Sequence, residues 1–161
     1  MRLVCDATEA ASNATAYHET IAVDTHDEMQ FVDLTDRLID AVERSGINNG
    51  LFIVQSRHTT AGIMINEHEP LLLDDLRALF ERLVPAAIPY AHDDFSRRTA
   101  NITARERRNG HAHCRAALLR TSEYVPIVGG RLSLGRWQRI FFVDFDGGQR
   151  REVCVSVLPF G

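Results

Sequence analysis

The stretch from Val125 to Val157, VPIVGGRLSLGRWQRIFFVDFDGGQRREVCVSV, decides the fold class. Val125-Pro126-Ile127-Val128 is a short β-branched run that stops at Gly129-Gly130, a turn signal. Arg131 to Phe145 then reads as one long strand, and Asp146-Gly147-Gly148 as the turn of a hairpin into a last strand. In that last strand Val153, Val155 and Val157 alternate with Glu152, Cys154 and Ser156, the period of two that marks a strand with one buried face. No helical pattern interrupts this run, so the alternation of strand and helix that builds a doubly wound parallel sheet is missing, and mostly antiparallel sheets are expected.

Working outward, the first half supplies helices and further strands. Tyr17, Glu19, Ile21 and Val23 alternate with His18, Thr20 and Ala22 as a strand. Leu34, Leu38, Ala41 and Val42 follow the i, i+4, i+7, i+8 template of a helix, with Asp33 placed to cap its start and Gly46 to end it. After the Asn48-Asn49-Gly50 turn, Leu51 to Val54 is a buried strand; the apolar run stops at Ser56 to Gly62 and resumes at Ile63-Met64-Ile65. Leu72, Leu76, Leu79, Phe80 and Leu83 predict a second helix that Pro85 terminates. Residues 85–110 form a long polar loop, of a length that often carries function, and a short helix is expected around His113 to Arg120. The expected architecture is a single α+β domain over residues 1–161, mostly antiparallel, with two to three helices packed outside. Residues 1–14, rich in Ala, Ser and Asn, are expected to be loosely ordered.

Composition narrows the function classes. With 161 residues, 45% hydrophobic and 25% charged, the chain can bury a substantial core without metals or disulfides. No apolar run approaches the roughly 20 residues of a membrane span, and Met1 to Ala16 lacks the apolar stretch of a secretory signal. Three cysteines, Cys5, Cys114 and Cys154, with no CxxC pair, fit a reducing cytoplasm. The net charge of −4 argues against a nucleic-acid binder. All 18 basic residues are arginine. A lysine Schiff base is therefore excluded, and any anion site must use guanidinium forks, backbone N–H groups or a metal.

The chemistry-bearing residues fall in clusters: His58 with Asn66 and Glu67, Asp74-Asp75, Tyr90 to Asp94, and Asn109 to Cys114. Imidazole is both a frequent ligand for borderline metals and a proton shuttle near neutral pH. The His111-Ala112-His113 pair does not fit a cupin, which wants a glutamate where Ala117 and Leu118 stand, nor a zinc deaminase, whose His-x-Glu and Pro-Cys-x-x-Cys are missing. At a helix start the two imidazoles point about 200° apart, so one of them faces any given site. On the second helix Asp74 lies opposite the expected apolar stripe and Asp75 near its edge, where it is either a hydrogen-bonded or metal-linked carboxylate or a plain surface charge. Seven arginines between Arg97 and Arg120 form the one basic run, which reads as a solvated surface, a phosphate contact or an RNA contact.

Taken in order, His58-Thr59-Thr60-Ala61, Asn66-Glu67, Asp75, Tyr90-x-His92-Asp93, Asn109-Gly110-His111-Ala112-His113, Pro126-Ile127, Gly130-x-Leu132-x-Leu134-Gly135-x-Trp137-Gln138 and Asp144-Phe145-Asp146-Gly147 with Arg151 resemble the YjbQ-like family. The resemblance runs from about residue 17 to the end. It implies a β-sandwich-like α+β domain that assembles as a homotrimer, and an accessory (secondary) thiamine-phosphate synthase activity, in which a pyrimidine diphosphate is joined to a thiazole phosphate with release of diphosphate. It implies a polar site with His58, Glu67 and His113 in catalysis and Thr59, Thr60, Asn66, Trp137 and Gln138 on a phosphorylated substrate. A divalent metal, zinc or magnesium, would be held by His58, His92, His113 and Asp75. The alternative reading is a metal- or small-ligand-binding module with little catalysis of its own.

Overall fold

The computed structural model describes residues 15–160, so the reading of residues 1–14 lies outside the described residues. Two antiparallel sheets form the body. The first has five strands in the order β1 (Tyr17–Asp24), β8 (Arg150–Pro159), β3 (Gly50–Ser56), β5 (Ser122–Val128) and β6 (Arg131–Leu132). The second has three, with β7 (Gln138–Asp144) between β2 (Gln30–Asp33) and β4 (Ala61–Glu67). The α+β, mostly antiparallel class expected from the sequence is the class observed.

The alternation in the sequence places the core. Ile21, Val23, Phe52, Val54, Val125, Ile127, Val153, Val155 and Val157 turn inward from the first sheet. They meet Ala61, Ile63, Ile140 and Phe142 of the second sheet, together with Leu38, Ala41 and Val42 of helix α1 (Thr35–Ser45). Strand β7 is apolar on both faces: Phe141 and Val143, with Phe145 just beyond the strand, point away from that core into a second one. That second core is closed by Leu73 and Phe80 of α2 (Pro70–Leu83) and Ala112 and Ala116 of α3 (Gly110–Ala116). The layers are therefore sheet, sheet and helix pair, with β7 sandwiched in the middle.

Three sequence readings need correction. Arg131 to Phe145 is not one strand: it breaks after Leu132, where Gly135 N–H donates to the Gln138 side-chain oxygen at 2.7 Å and closes a turn. The two pieces enter different sheets. Nor do β7 and β8 form a hairpin, because each is a central strand: β7 is paired on both edges by β2 and β4, and β8 by β1 and β3. The Asp-Gly-Gly turn is a crossing between sheets. Lastly, the third helix opens at Gly110, three residues ahead of the expected start. Gly46 does end α1 in the left-handed conformation, with φ 65°. Asp33 accepts both the Thr35 N–H and the Thr35 hydroxyl at its start.

Candidate functional site

A cleft of about 960 Å³ opens where α3, the single helical turn at Ala91–Asp93 and the 97–109 loop meet the sheet-to-sheet crossing. Asp93 assembles it. One of its carboxylate oxygens accepts the backbone N–H of both Asn109 and Gly110 at 2.9 Å, tying the helical turn to the start of α3. That clasp brings His92 and His113 side by side, their ring centroids 4.6 Å apart and their planes inclined at 58°.

Below the cleft lies a buried ion-pair network. Arg151 grips Asp144 through two hydrogen bonds of 2.8 Å, donates to the Asp146 carbonyl at 2.7 Å and to the Thr60 hydroxyl at 3.3 Å. The hydroxyl of Thr25 also donates to Asp144, at 2.7 Å. Buried charges are tolerated when paired and hydrogen-bonded in this way, and the result is a stiff floor. From it the Asp146 carboxylate rises to accept the Asn109 amide at 2.9 Å and the Gln149 amide at 3.2 Å.

The walls carry four guanidinium groups, of Arg97, Arg98, Arg105 and Arg107, against the carboxylates of Glu106 and Asp146. Arg98 is committed to Glu106 at 2.8 Å and Arg107 to the Gly147 carbonyl. Arg97 has only a 3.8 Å approach to Asp94, and Arg105 makes no ion pair among the described residues. Burial holds the His113 imidazole below its ordinary value, and the neighbouring His92 pushes the same way. At neutral pH His113 is therefore an uncharged imidazole able to take or give a proton. Among the described residues two buried side-chain atoms lack a hydrogen-bond partner, His92 Nε2 and Asn109 Oδ1, and both residues line this cleft. Such atoms are rare in folded proteins and mark a place where another group is expected to bond.

The residues singled out in the sequence divide into two groups. Thr59, His92 and His113 line the cleft. Thr60 is buried beneath it on Arg151. His58 is adjacent in the chain but turns its Nε2 to the Glu152 N–H at 2.8 Å, and burial, with Arg151 nearby, lowers its pKa. Asn66, Glu67, Trp137 and Gln138 sit elsewhere: Glu67 pairs in register with Gln138 at the far end of β4, while Ala61 at the near end pairs with Asp144. Six residues of strand separate the two ends by roughly 20 Å. The structure thus does not bring Glu67 to His113 within one chain. Asp75 is exposed, because α2 turns Leu73, Leu76 and Phe80 toward the second core, and two positions along a helix is about 200° from Leu73.

A zinc site needs three or four protein ligands around one point. His92 and His113 supply two imidazoles, but His58 is committed elsewhere and Asp75 faces solvent. Among the described residues no group of three or more His, Cys, Asp or Glu side chains stands close enough to hold a metal ion. The set His58, His92, His113 and Asp75 does not fit a zinc or magnesium ion within this chain. What sequence reasoning missed is the part played by Arg105, Asn109 and Asp146. The basic run pointed to the first, but long-range folding alone joins the three.

Comparison with known proteins agrees with this architecture. The family model described as UPF0047 protein YjbQ-like matches residues 19–159. A UPF0047 protein of Methanothermobacter thermautotrophicus is 36% identical over 141 residues, covering 88% of this chain and 91% of that relative. One from Archaeoglobus fulgidus is 38% identical over 138 residues, covering 86% and 98%. Among solved structures, a YbjQ-like protein of unknown function from Sulfolobus solfataricus superposes with a TM-score of 0.80 at 31% identity, covering 91% of this chain and 99% of that one. A hypothetical protein from Aeropyrum pernix gives 0.78 at 34% identity, covering 89% and 99%.

Proposed function

The chain belongs to the UPF0047 protein YjbQ-like family, and we propose that it binds and transforms a phosphorylated small molecule in the cleft between α3 and the 97–109 loop. The observation that carries this reading is one cavity holding under-used guanidinium groups, a neutral half-buried imidazole, and two buried polar atoms without partners. Guanidinium forks recognise phosphate oxygens with paired, charge-assisted hydrogen bonds, and with no lysine in the chain they are the cations available for it. Arg97 and Arg105 would hold the phosphate, and His113 would move a proton at the reacting atom. Thr59 lies on the same wall as His113.

The finer proposal is the accessory thiamine-phosphate synthase reaction. In it the pyrimidine methylene carbon exchanges its diphosphate oxygen for the thiazole ring, and diphosphate departs. The demand on the protein is to stabilise the charge that builds on the leaving diphosphate, which pre-placed guanidinium groups do in a partly closed cleft. A homotrimer belongs to the same proposal. It is supported by the exposed outer face of the first sheet, where Tyr124 and Val128 are 67% and 63% exposed, large apolar side chains of a kind that mark interaction surfaces when contiguous. Cytoplasmic placement is supported by the unpaired thiols of Cys114 and Cys154; no described helix is long and apolar enough to cross a membrane.

Calorimetric titration with inorganic diphosphate tests the coarse reading, and formation of thiamine phosphate from the two precursors tests the fine one. Diphosphate binding that weakens at least about tenfold in Arg105→Ala is expected from loss of a charged hydrogen bond. Absence of diphosphate binding would overturn the reading. Binding without turnover would leave a binding module and discard the synthase assignment.

A further inference from the structure

The Gly-x-Trp-Gln stretch takes no part in the cleft, yet it borders a second cavity at the opposite end of the molecule. This pocket, of about 400 Å³, lies between α1, β6 and the turn that follows β6. Its floor is apolar: Ile39 and Val42 from α1 face Leu132 and Leu134. Val42 belongs to the main core, and Leu132 and Leu134 pack against that core, so the floor is fixed by the fold.

The rim is basic, and its arginines differ in availability. Arg139 is locked: its Nε donates to Asp33 at 2.7 Å and its second nitrogen pairs with Asp36 at 3.0 Å. Burial pushes the Asp33 carboxyl up, but hydrogen bonds from Thr35 and Arg139 outweigh it and hold the group at about 2, so this clamp stays charged. Arg131 and Arg136, by contrast, form no ion pair among the described residues. Arg136 lies over the Trp137 ring, 4.7 Å from its centroid. Glu43 is the one carboxylate among the residues that line the pocket.

A mostly apolar hollow with a small number of placed polar groups is the usual form of a small-ligand site. We propose that this pocket binds a small amphipathic organic anion, its apolar body on Ile39, Leu132 and Leu134 and its carboxylate or phosphate head on Arg131 and Arg136. The two parts divide the work. The floor removes hydrocarbon from water, and the guanidinium groups select the charge at one end. The site is separate from the cleft, since Gln138 and Asp144 mark opposite ends of β7.

Trp137 is the chain's only tryptophan and is 61% exposed beside the pocket, so its emission reports occupancy directly. The experiment titrates the full chain with octanoate, octyl phosphate and octan-1-ol. A saturable change is expected with octanoate or octyl phosphate, the stronger of the two identifying the head group, and none with octan-1-ol at the same concentrations. Arg131→Ala should weaken the anion by about tenfold or more. Ile39→Glu, at an exposed helix position that folding tolerates, should abolish the response while the circular dichroism spectrum stays unchanged. Arg105→Ala, in the cleft, should leave the titration unaltered, which keeps this inference independent of the proposed function. No saturable response to either anion, an equal response to octan-1-ol, or an Arg131→Ala titration matching the parent would each overturn it.

Discussion

Replacing Gly110 by alanine tests whether the cleft is held together as described. The added Cβ would stand 2.5 Å from Tyr90 Cβ, 2.9 Å from the first ring carbon of Tyr90 and 3.3 Å from the Asp93 carboxylate. Two effects of opposite sign compete. Alanine is a better helix former than glycine by up to ~1 kcal/mol. Overpacking a filled space costs about 1–3 kcal/mol. The contact is with a Cβ, which moves only with its backbone, and that backbone is tethered: the Tyr90 hydroxyl donates to the Pro85 carbonyl at 2.7 Å, and Asp93 accepts the Asn109 and Gly110 N–H groups. Overpacking therefore wins, by roughly 1–2 kcal/mol, and Tm falls by roughly 2–8 °C for a domain of this size. The same displacement parts His92 from His113, so the His113 pKa climbs back toward its ordinary value. Differential scanning calorimetry and imidazole proton NMR across pH read the two effects. A Tm equal to or above that of the parent, with an unmoved His113 titration, would refute the clasp.

Other expectations follow from the same geometry. Arg151→Ala leaves Asp144 buried without its main partner and should cost about 3–5 kcal/mol in urea denaturation, whereas an exposed pair such as Arg77–Asp74 should cost under about 1 kcal/mol. His58 and His113 both titrate below 6.5 in the folded chain, chiefly through burial, and an unfolded histidine titrates near 6.5. The unfolded chain then binds more protons in that window, so stability is full above pH ~6.5 and falls as pH drops through the lower folded values. The slope should shrink in His113→Gln, and an unchanged slope would remove His113 from the account. Zinc added to untagged protein should leave Tm unmoved, since the described residues offer two imidazoles rather than a closed ligand set; a saturable rise would show ligands recruited from outside one chain.

The parts of the fold written in local pattern were legible. The alternation in β1 and β8, the α1 stripe and the break at Pro85 each depend on neighbours within a few residues. Partner choice was not legible. The Asp-Gly-Gly signal is the same whether the next strand folds back or crosses over, and the decision rests on β2 and β4 having taken both edges of β7. Leu76 and Phe80 of the α2 stripe face the second core as read, but at its start Leu71, Leu72 and Leu73 are chemically equal in sequence, and only the second core, which buries Leu73, separates them. In the site, His92 and His113 emerged from motif order. Glu67 was grouped with them because the segment beginning at His58 is short in sequence, yet an extended strand carries it the length of the sheet. The basic run was visible, but which of its arginines are free depends on Glu106 and Gly147 meeting Arg98 and Arg107.

Strand β7 fills the gap between β2 and β4 and covers both cores, yet it begins at residue 138 of 161. On the ribosome, everything that precedes Gln138 must wait with β2 and β4 unzipped and the inner sides of two helices uncovered. A late-arriving keystone of this kind gives slow, all-at-once maturation, and a chain cut short before Gln138 would be a target for chaperones or proteases rather than a smaller working domain.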